Sequence, residues 1–102
     1  MTAAMVLRRA AKLLDERGWK QGAAGAYEGP YCAAGAISAA RTGVDWRLSS
    51  KAMAALYRSS PAAAEFGIIH WNDTPGRTKE EVIAALLKAA KLADKRRRPV
   101  RK

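Results

Sequence analysis

Cysteine, histidine, acidic side chains and long apolar runs are all scarce in this chain. There is one Cys, Cys32, and one His, His70, among 102 residues. A single Cys excludes an internal disulfide framework. One Cys with one His also excludes a closed Cys/His zinc site, and no metal or cofactor is expected. Gly22, Gly25 and Gly29 lack the spacing, and the following Lys-Ser/Thr pair, of a phosphate-cradling loop. No apolar run reaches the length that crosses a bilayer. Arg8 and Arg9 interrupt the apolar start, which therefore does not read as a signal peptide. No segment recurs at a fixed period, which excludes a solenoid. These absences together point to a protein of the reducing cytoplasm with no membrane partner.

What is abundant is alanine, 23 of 102 residues within a hydrophobic fraction of 49%. Alanine is the best helix former and leaves little bulk between helices. A chain of this length makes one domain and can bury a core without disulfides or metals. The composition predicts a mainly α fold, a compact domain of four to five helices. Its core should be thin, anchored by Trp19, Trp46, Trp71, Tyr27, Tyr31, Tyr57 and Phe66.

Local patterns place the helices. Thr2 caps a first helix running to about Arg17, with Ala3, Val6, Leu7, Ala10, Leu13 and Leu14 on one face. Arg9, Lys12 and Glu16 lie opposite, and Gly18 suits a left-handed closing position. Residues 19–31 hold three glycines and Pro30 but no helical period. They read as a small irregular or β-hairpin insert, with Trp19–Gln21 and Tyr31–Cys32 as its stubs and Glu28-Gly29-Pro30 as a turn. A lean second helix fits Cys32 to about Thr42, ended by Gly43 and placed at the centre of the bundle. Ser49 or Ser50 caps a third helix through Tyr57, with Met53, Leu56 and Tyr57 facing inward. Pro61 starts a shorter segment rich in apolar side chains: Phe66, Ile68, Ile69 and Trp71. Asn72 to Gly76 is a turn with the Pro-Gly signature of type II. Thr78 and Glu81 form a capping box for a last helix from Lys79 to about Arg98, stopped by Pro99. Val82, Ile83, Leu86, Leu87, Ala90 and Ala93 should face its core side. The first and last helices should pack across the others around Trp19, Trp71 and Phe66.

Charge is the most unbalanced property. There are 19 basic and 9 acidic side chains, a net +10. Six of the basic ones fall in the last eight residues: Lys95, Arg96, Arg97, Arg98, Arg101 and Lys102. Residues 1–94 form the helical domain and carry only +4. Residues 95–102 read as a basic tail, disordered beyond about Arg98. Lys88, Lys91, Lys95 and Arg98 recur at three- and four-residue steps and make one stripe on the last helix. Stripe and tail together can track phosphates. An ordinary solvated face accounts for the same pattern.

Other candidate sites are thinner. Ser49, Ser50 and Lys51 can be drawn as the start of a recognition helix. The connection from Gly43 to Leu48 is longer than the usual turn of about 3–4 residues, and helix packing explains the pattern better. Cys32 falls at a predicted helix start, a setting in which thiols become nucleophilic. His70 and Asp73 would complete a nucleophilic set, but nothing in the sequence brings the three together. No catalytic residue is assigned and no enzymatic activity is expected. Asp73 and Arg77 bracket the Pro-Gly turn and can rigidify it through an ion pair or a backbone bond. Trp71, Asn72, Asp73 and Arg77 also offer a loop tip for a partner, since Asn and Asp favour exposed turns.

Several blocks together carry a resemblance. They are Leu-Arg-Arg-Ala-Ala (Leu7–Ala11), Gly18-Trp19-Lys20-Gln21-Gly22, Cys32-Ala33-Ala34-Gly35-Ala36, and Trp71-Asn72-Asp73-Thr74-Pro75-Gly76-Arg77-Thr78 with Glu81-Val82. In this order they resemble a family of small uncharacterised proteins of actinobacteria and their phages. The likeness runs from about Leu7 to Ala90 and does not include the basic tail. It implies a compact cytosolic domain, plausibly phage-encoded. It transfers no activity to any residue, and its glycines and the Thr78 cap read as fold determinants.

Two functional expectations follow. One is a nucleic-acid-binding accessory protein, holding DNA or RNA through the last helix and tail, with affinity that falls steeply with salt and is lost with the tail. The other is a protein-interaction module that engages a host protein and survives tail removal.

Overall fold

The computed structural model describes residues 2–22, 29–41 and 46–97, and among them six helices. The domain is mainly α, as the composition predicts. Helix α1 spans Ala3–Arg17 and is capped by Thr2, whose Oγ1 accepts the Met5 N–H at 3.2 Å. Its buried face is Ala4, Val6, Leu7, Ala10, Ala11 and Leu14. Helix α6 spans Lys79–Arg97. The two run antiparallel: Arg8 bonds Asp94 at 2.6 Å near one end, and Lys79 approaches Asp15 at 4.0 Å near the other. This pair forms the most extensive helix contact of the fold.

Helix α2, Ala33–Ala40, takes the central place expected of it and touches α1, α3 and α5. Its Ala33, Ala36, Ile37 and Ala40 are fully buried. Such small side chains let neighbouring backbones approach closely. Thr42 and Gly43, expected at its end, lie outside the described residues. Helix α3 spans Trp46–Ser59 and so begins before the serines expected to cap it. Ser49 sits inside the helix and donates its hydroxyl to the Trp46 carbonyl at 2.7 Å. With Ser49 to Lys51 in mid-helix, the recognition-helix drawing loses its starting point.

The short segment after Pro61 is two helices, α4 (Pro61–Phe66) and α5 (Ile68–Asp73). They meet at Gly67, whose φ of +86° breaks the helical path. That elbow raises the helix count above the four to five expected. In the segment between α1 and α2, Trp19 and Tyr31 make an isolated parallel bridge. A hairpin requires antiparallel strands, so the Trp19–Gln21 and Tyr31–Cys32 stubs do not pair as one. Tyr27 and the Glu28 of the expected turn lie outside the described residues.

The deep core is aliphatic. Leu7, Leu14, Ile37, Leu56, Leu86, Val6 and Val82 are its largest fully buried apolar side chains. Trp71 and Tyr31 are buried as expected, but Trp46 is 62% exposed and Phe66 56% exposed. Phe66 therefore cannot anchor the meeting of the long helices. On α6 the inward face is Val82, Leu86, Ala89, Ala90 and Ala93, while Leu87 is 45% exposed. Among the described residues no helix is long and apolar enough to cross a membrane.

Candidate functional site

The sequence blocks that look like a signature converge on one side chain, Asn72. It belongs to the last turn of α5 and is fully buried. Its Oδ1 accepts the Trp19 indole N–H at 2.6 Å and the Ala33 N–H at 2.9 Å. Its Nδ2 donates to the Lys20 carbonyl and to Asp73 Oδ1, both at 3.0 Å. An amide side chain offers two acceptor sites and two donors, so every one of them is used. Around it, Gln21 Nε2 donates to the Asn72 carbonyl at 3.1 Å and to the Thr74 carbonyl at 2.9 Å. The Gly22 N–H donates to Asp73 Oδ1 at 2.9 Å. The Trp-Lys-Gln-Gly block is thus clasped to the Trp-Asn-Asp-Thr block, with the start of α2 bonded to Asn72.

Two glycines let the clasp close. Gly18 ends α1 with φ +98° and ψ +158°, a region open to glycine rather than the left-handed helical one expected. Gly29 has φ +96°, and a Cβ there would lie 2.9 Å from Arg17 Cβ. The chain can return past the end of α1 only with glycine at that point. Tyr31 N–H then donates to the Gly18 carbonyl at 3.0 Å, and Lys20 N–H to the Tyr31 carbonyl at 2.9 Å.

On the other side the clasp joins α6. Thr74 to Arg77 forms the expected turn, closed by Arg77 N–H to the Thr74 carbonyl at 3.0 Å, with Gly76 at φ +87°. Arg77 lies over the Trp71 ring at 4.9 Å and donates Nε to the Trp71 carbonyl at 3.1 Å. Its Nη1 is 3.5 Å from Glu81. Glu81 closes the expected capping box: its Oε1 accepts the Thr78 N–H at 2.9 Å, and its own N–H donates to Thr78 Oγ1 at 3.1 Å. Asp73 and Arg77 therefore rigidify the turn through separate partners.

This geometry changes the status of three candidates. Trp71 and Asn72 are buried and cannot face a partner, and Arg77 is spent on Trp71 and Glu81. Asp73 and Arg77 are partly accessible, and of the two Asp73 has no ion-pair partner among the described residues. Its carboxyl is held below the ordinary aspartate range, first by the Gly22 N–H and then by the Asn72 amide, with the nearby His70 adding a smaller pull. Cys32 is buried, and its Sγ accepts the Gly35 N–H at 3.3 Å as the cap of α2. His70 is exposed and lies against the Phe66 ring at 5.3 Å.

The basic stripe has a different setting. Lys88, Lys91 and Lys95 line one open groove of about 490 Å³. Its other side is the α3–α4 corner, which supplies Arg58, Ser59 and Pro61. Leu92 also lines it, and among the described residues no carboxylate takes part. Among the described residues none of the four cations is paired with an acid. Elsewhere acids and bases match: Arg8 with Asp94, Lys12 with Glu16, Arg77 with Glu81 and Lys79 with Asp15. Sequence reasoning missed Arg58, because only the packing of α3 on α6 brings it to the stripe. The backbone of α6 continues through Arg97, close to the Arg98 expected as its end, so Lys95, Arg96 and Arg97 belong to the helix. Pro99 disfavours helix at the residue before it, in keeping with that end. Arg98, Arg101 and Lys102 lie outside the described residues.

Comparison with known proteins gives the clasp a context. The chain belongs to DUF6197, a family of unknown function whose model matches residues 1–92. That span holds the whole clasp and, of the groove, Arg58, Lys88 and Lys91. No curated protein and no solved structure matches the chain.

Proposed function

We propose that this protein is a small accessory protein of phage type that binds nucleic acid through the phosphate backbone, without regard to sequence. The observation that carries the reading is the groove: Arg58, Lys88, Lys91 and Lys95 converge on it, with no acid lining it among the described residues. Unpaired cations gathered in one recess are arranged to release counterions from a polyanion, the main source of non-specific affinity. The basic residues beyond Lys95 extend the same field. The clasp positions this surface without contacting ligand, by locking the start of α6 to α5 and the Trp19 segment.

The test is a DNA titration at several salt concentrations with the parent and a Lys88→Gln/Lys91→Gln variant. The parent should bind at low salt and weaken steeply as salt rises. The double variant should bind more weakly with a shallower slope. Absence of binding by the parent to both single- and double-stranded DNA at low salt contradicts the proposal.

A second reading, a module that engages a host protein, has one observation in its favour. Phe66 and Ile69 are 56% and 63% exposed on either side of the Gly67 elbow. Large apolar side chains exposed within one short segment offer apolar area that a protein partner could cover. On this reading the partner surface is the α4–α5 elbow, since Trp71 and Asn72 are buried.

A further inference from the structure

We propose that the groove seats a single nucleic-acid strand in preference to a duplex. This inference rests on the nucleic-acid reading above and narrows it. Its basis is that the groove has two walls. Lys88, Lys91, Leu92 and Lys95 of α6 form one, and Arg58 and Pro61 at the α3–α4 corner form the other.

A lone helix fits a duplex major groove because the groove is about 12 Å wide and a helix with side chains is about 10–12 Å across. The basic face of α6 is not free in that way. The α3–α4 corner stands beside it, and its apolar face is buried in the core with α1 and α3 alongside. A major groove cannot close around the two walls together. The recess admits something narrower. From Lys88 to Lys95 the helix rises roughly 10 Å at 1.5 Å per residue. That length carries Lys88, Lys91 and Lys95, three cations to set against successive phosphates of one strand. Among the described residues no aromatic side chain lines the groove, so they offer bases no stacking platform there. The contact is with the backbone, from both sides.

Simple net charge predicts the opposite preference. Duplex DNA is the denser polyanion, with a salt slope of about −0.9 per neutralised phosphate against about −0.7 for single strands. A preference for the single strand is therefore the signature of the recess.

The experiment compares a short oligothymidylate with a duplex of matched length, by fluorescence anisotropy over a salt series. It uses the full chain, Arg58→Gln and Lys51→Gln. Lys51 is an exposed cation of α3 outside the groove, so the two variants lose the same charge at different places. Thermal melts check that both are folded. The full chain should bind the oligothymidylate more tightly than the duplex at every salt concentration. Arg58→Gln should flatten the oligothymidylate salt slope by about 0.7, one phosphate contact, while Lys51→Gln keeps the parent slope. Equal or tighter duplex binding, or indistinguishable slopes for the two variants, overturns the single-strand assignment and leaves nucleic-acid binding standing. Failure of the full chain to bind either polymer removes both.

Discussion

Asn72 is the one buried polar side chain among the described residues. A buried amide is costly unless its hydrogen bonds are made, and here all four are made. Asn72→Asp tests this without changing shape. The carboxylate would keep the bonds from Trp19 and Ala33, but would turn an acceptor toward the Lys20 carbonyl and Asp73. We expect a loss on the order of 3 kcal/mol at neutral pH in urea denaturation, partly recovered in acid as the new group protonates and donates again. A variant within about 1 kcal/mol of the parent would show that Asn72 is not the hub. Asp73 makes the complementary pH prediction. Its carboxyl is held below the ordinary range in the folded state. Its contribution is therefore fully present above the unfolded pKa, about 3.9, and is lost as pH falls through the folded value. Asp73→Asn should flatten the acid limb of a melting-temperature profile; an unchanged limb would rule out that linkage. Cys32 is both a buried side chain and the cap of α2. A buried hydroxyl in its place threatens to go unpaired, yet the Gly35 N–H already points at the sulfur. Serine is among the best N-caps, so Cys32→Ser should stay within about 1 kcal/mol of the parent while Cys32→Ala loses about 1 kcal/mol. Parallel chemical melts of the two variants decide it.

Each helix is defined by cues that act within a few residues, and such cues were readable in advance. The Thr2 cap, the Pro75-Gly76 turn and the Thr78–Glu81 box all depend on neighbours close in sequence, and all are present. The start of α3 was misplaced for a related reason: Ser49 bonds back to the Trp46 carbonyl inside the helix, a use of serine that competes with capping. Faces were harder to read than ends. Leu86 and Leu87 are equally apolar, and only the positions of α1 and α3 decide that the first is buried and the second 45% exposed. Leu86→Ala should therefore cost about 2–5 kcal/mol through cavity formation. Leu87→Ala should cost less than about 1 kcal/mol. Equal losses in thermal or urea melts would place the buried face of α6 elsewhere.

Across the whole molecule, what sequence could not supply was which distant segments meet. The blocks around Trp19, Cys32 and Asn72 stood out as residues, but the bonds joining them span 39 to 53 positions. No local rule states that Trp19 and Ala33 share one amide oxygen. Arg58 was passed over for the same reason, since its role depends on the corner of α3 and α4 lying beside α6. The resulting charge pattern is uneven. Acids and bases pair along α1 and at the start of α6, while among the described residues the four cations of the groove have no acidic partner. The central claim is that this recess, and not only the basic chain end, holds nucleic acid. The most direct measurement is the salt dependence of DNA binding by a chain ending after Arg97. That chain lacks Arg98, Arg101 and Lys102 but keeps the groove intact. The account predicts that it still binds at low salt, with a log–log slope shallower than the parent by no more than about 3 on duplex DNA. It also predicts that Lys88→Gln/Lys91→Gln in the same chain lowers the affinity further. Loss of all detectable binding on removing those last residues would contradict it and assign the interaction to the chain end alone.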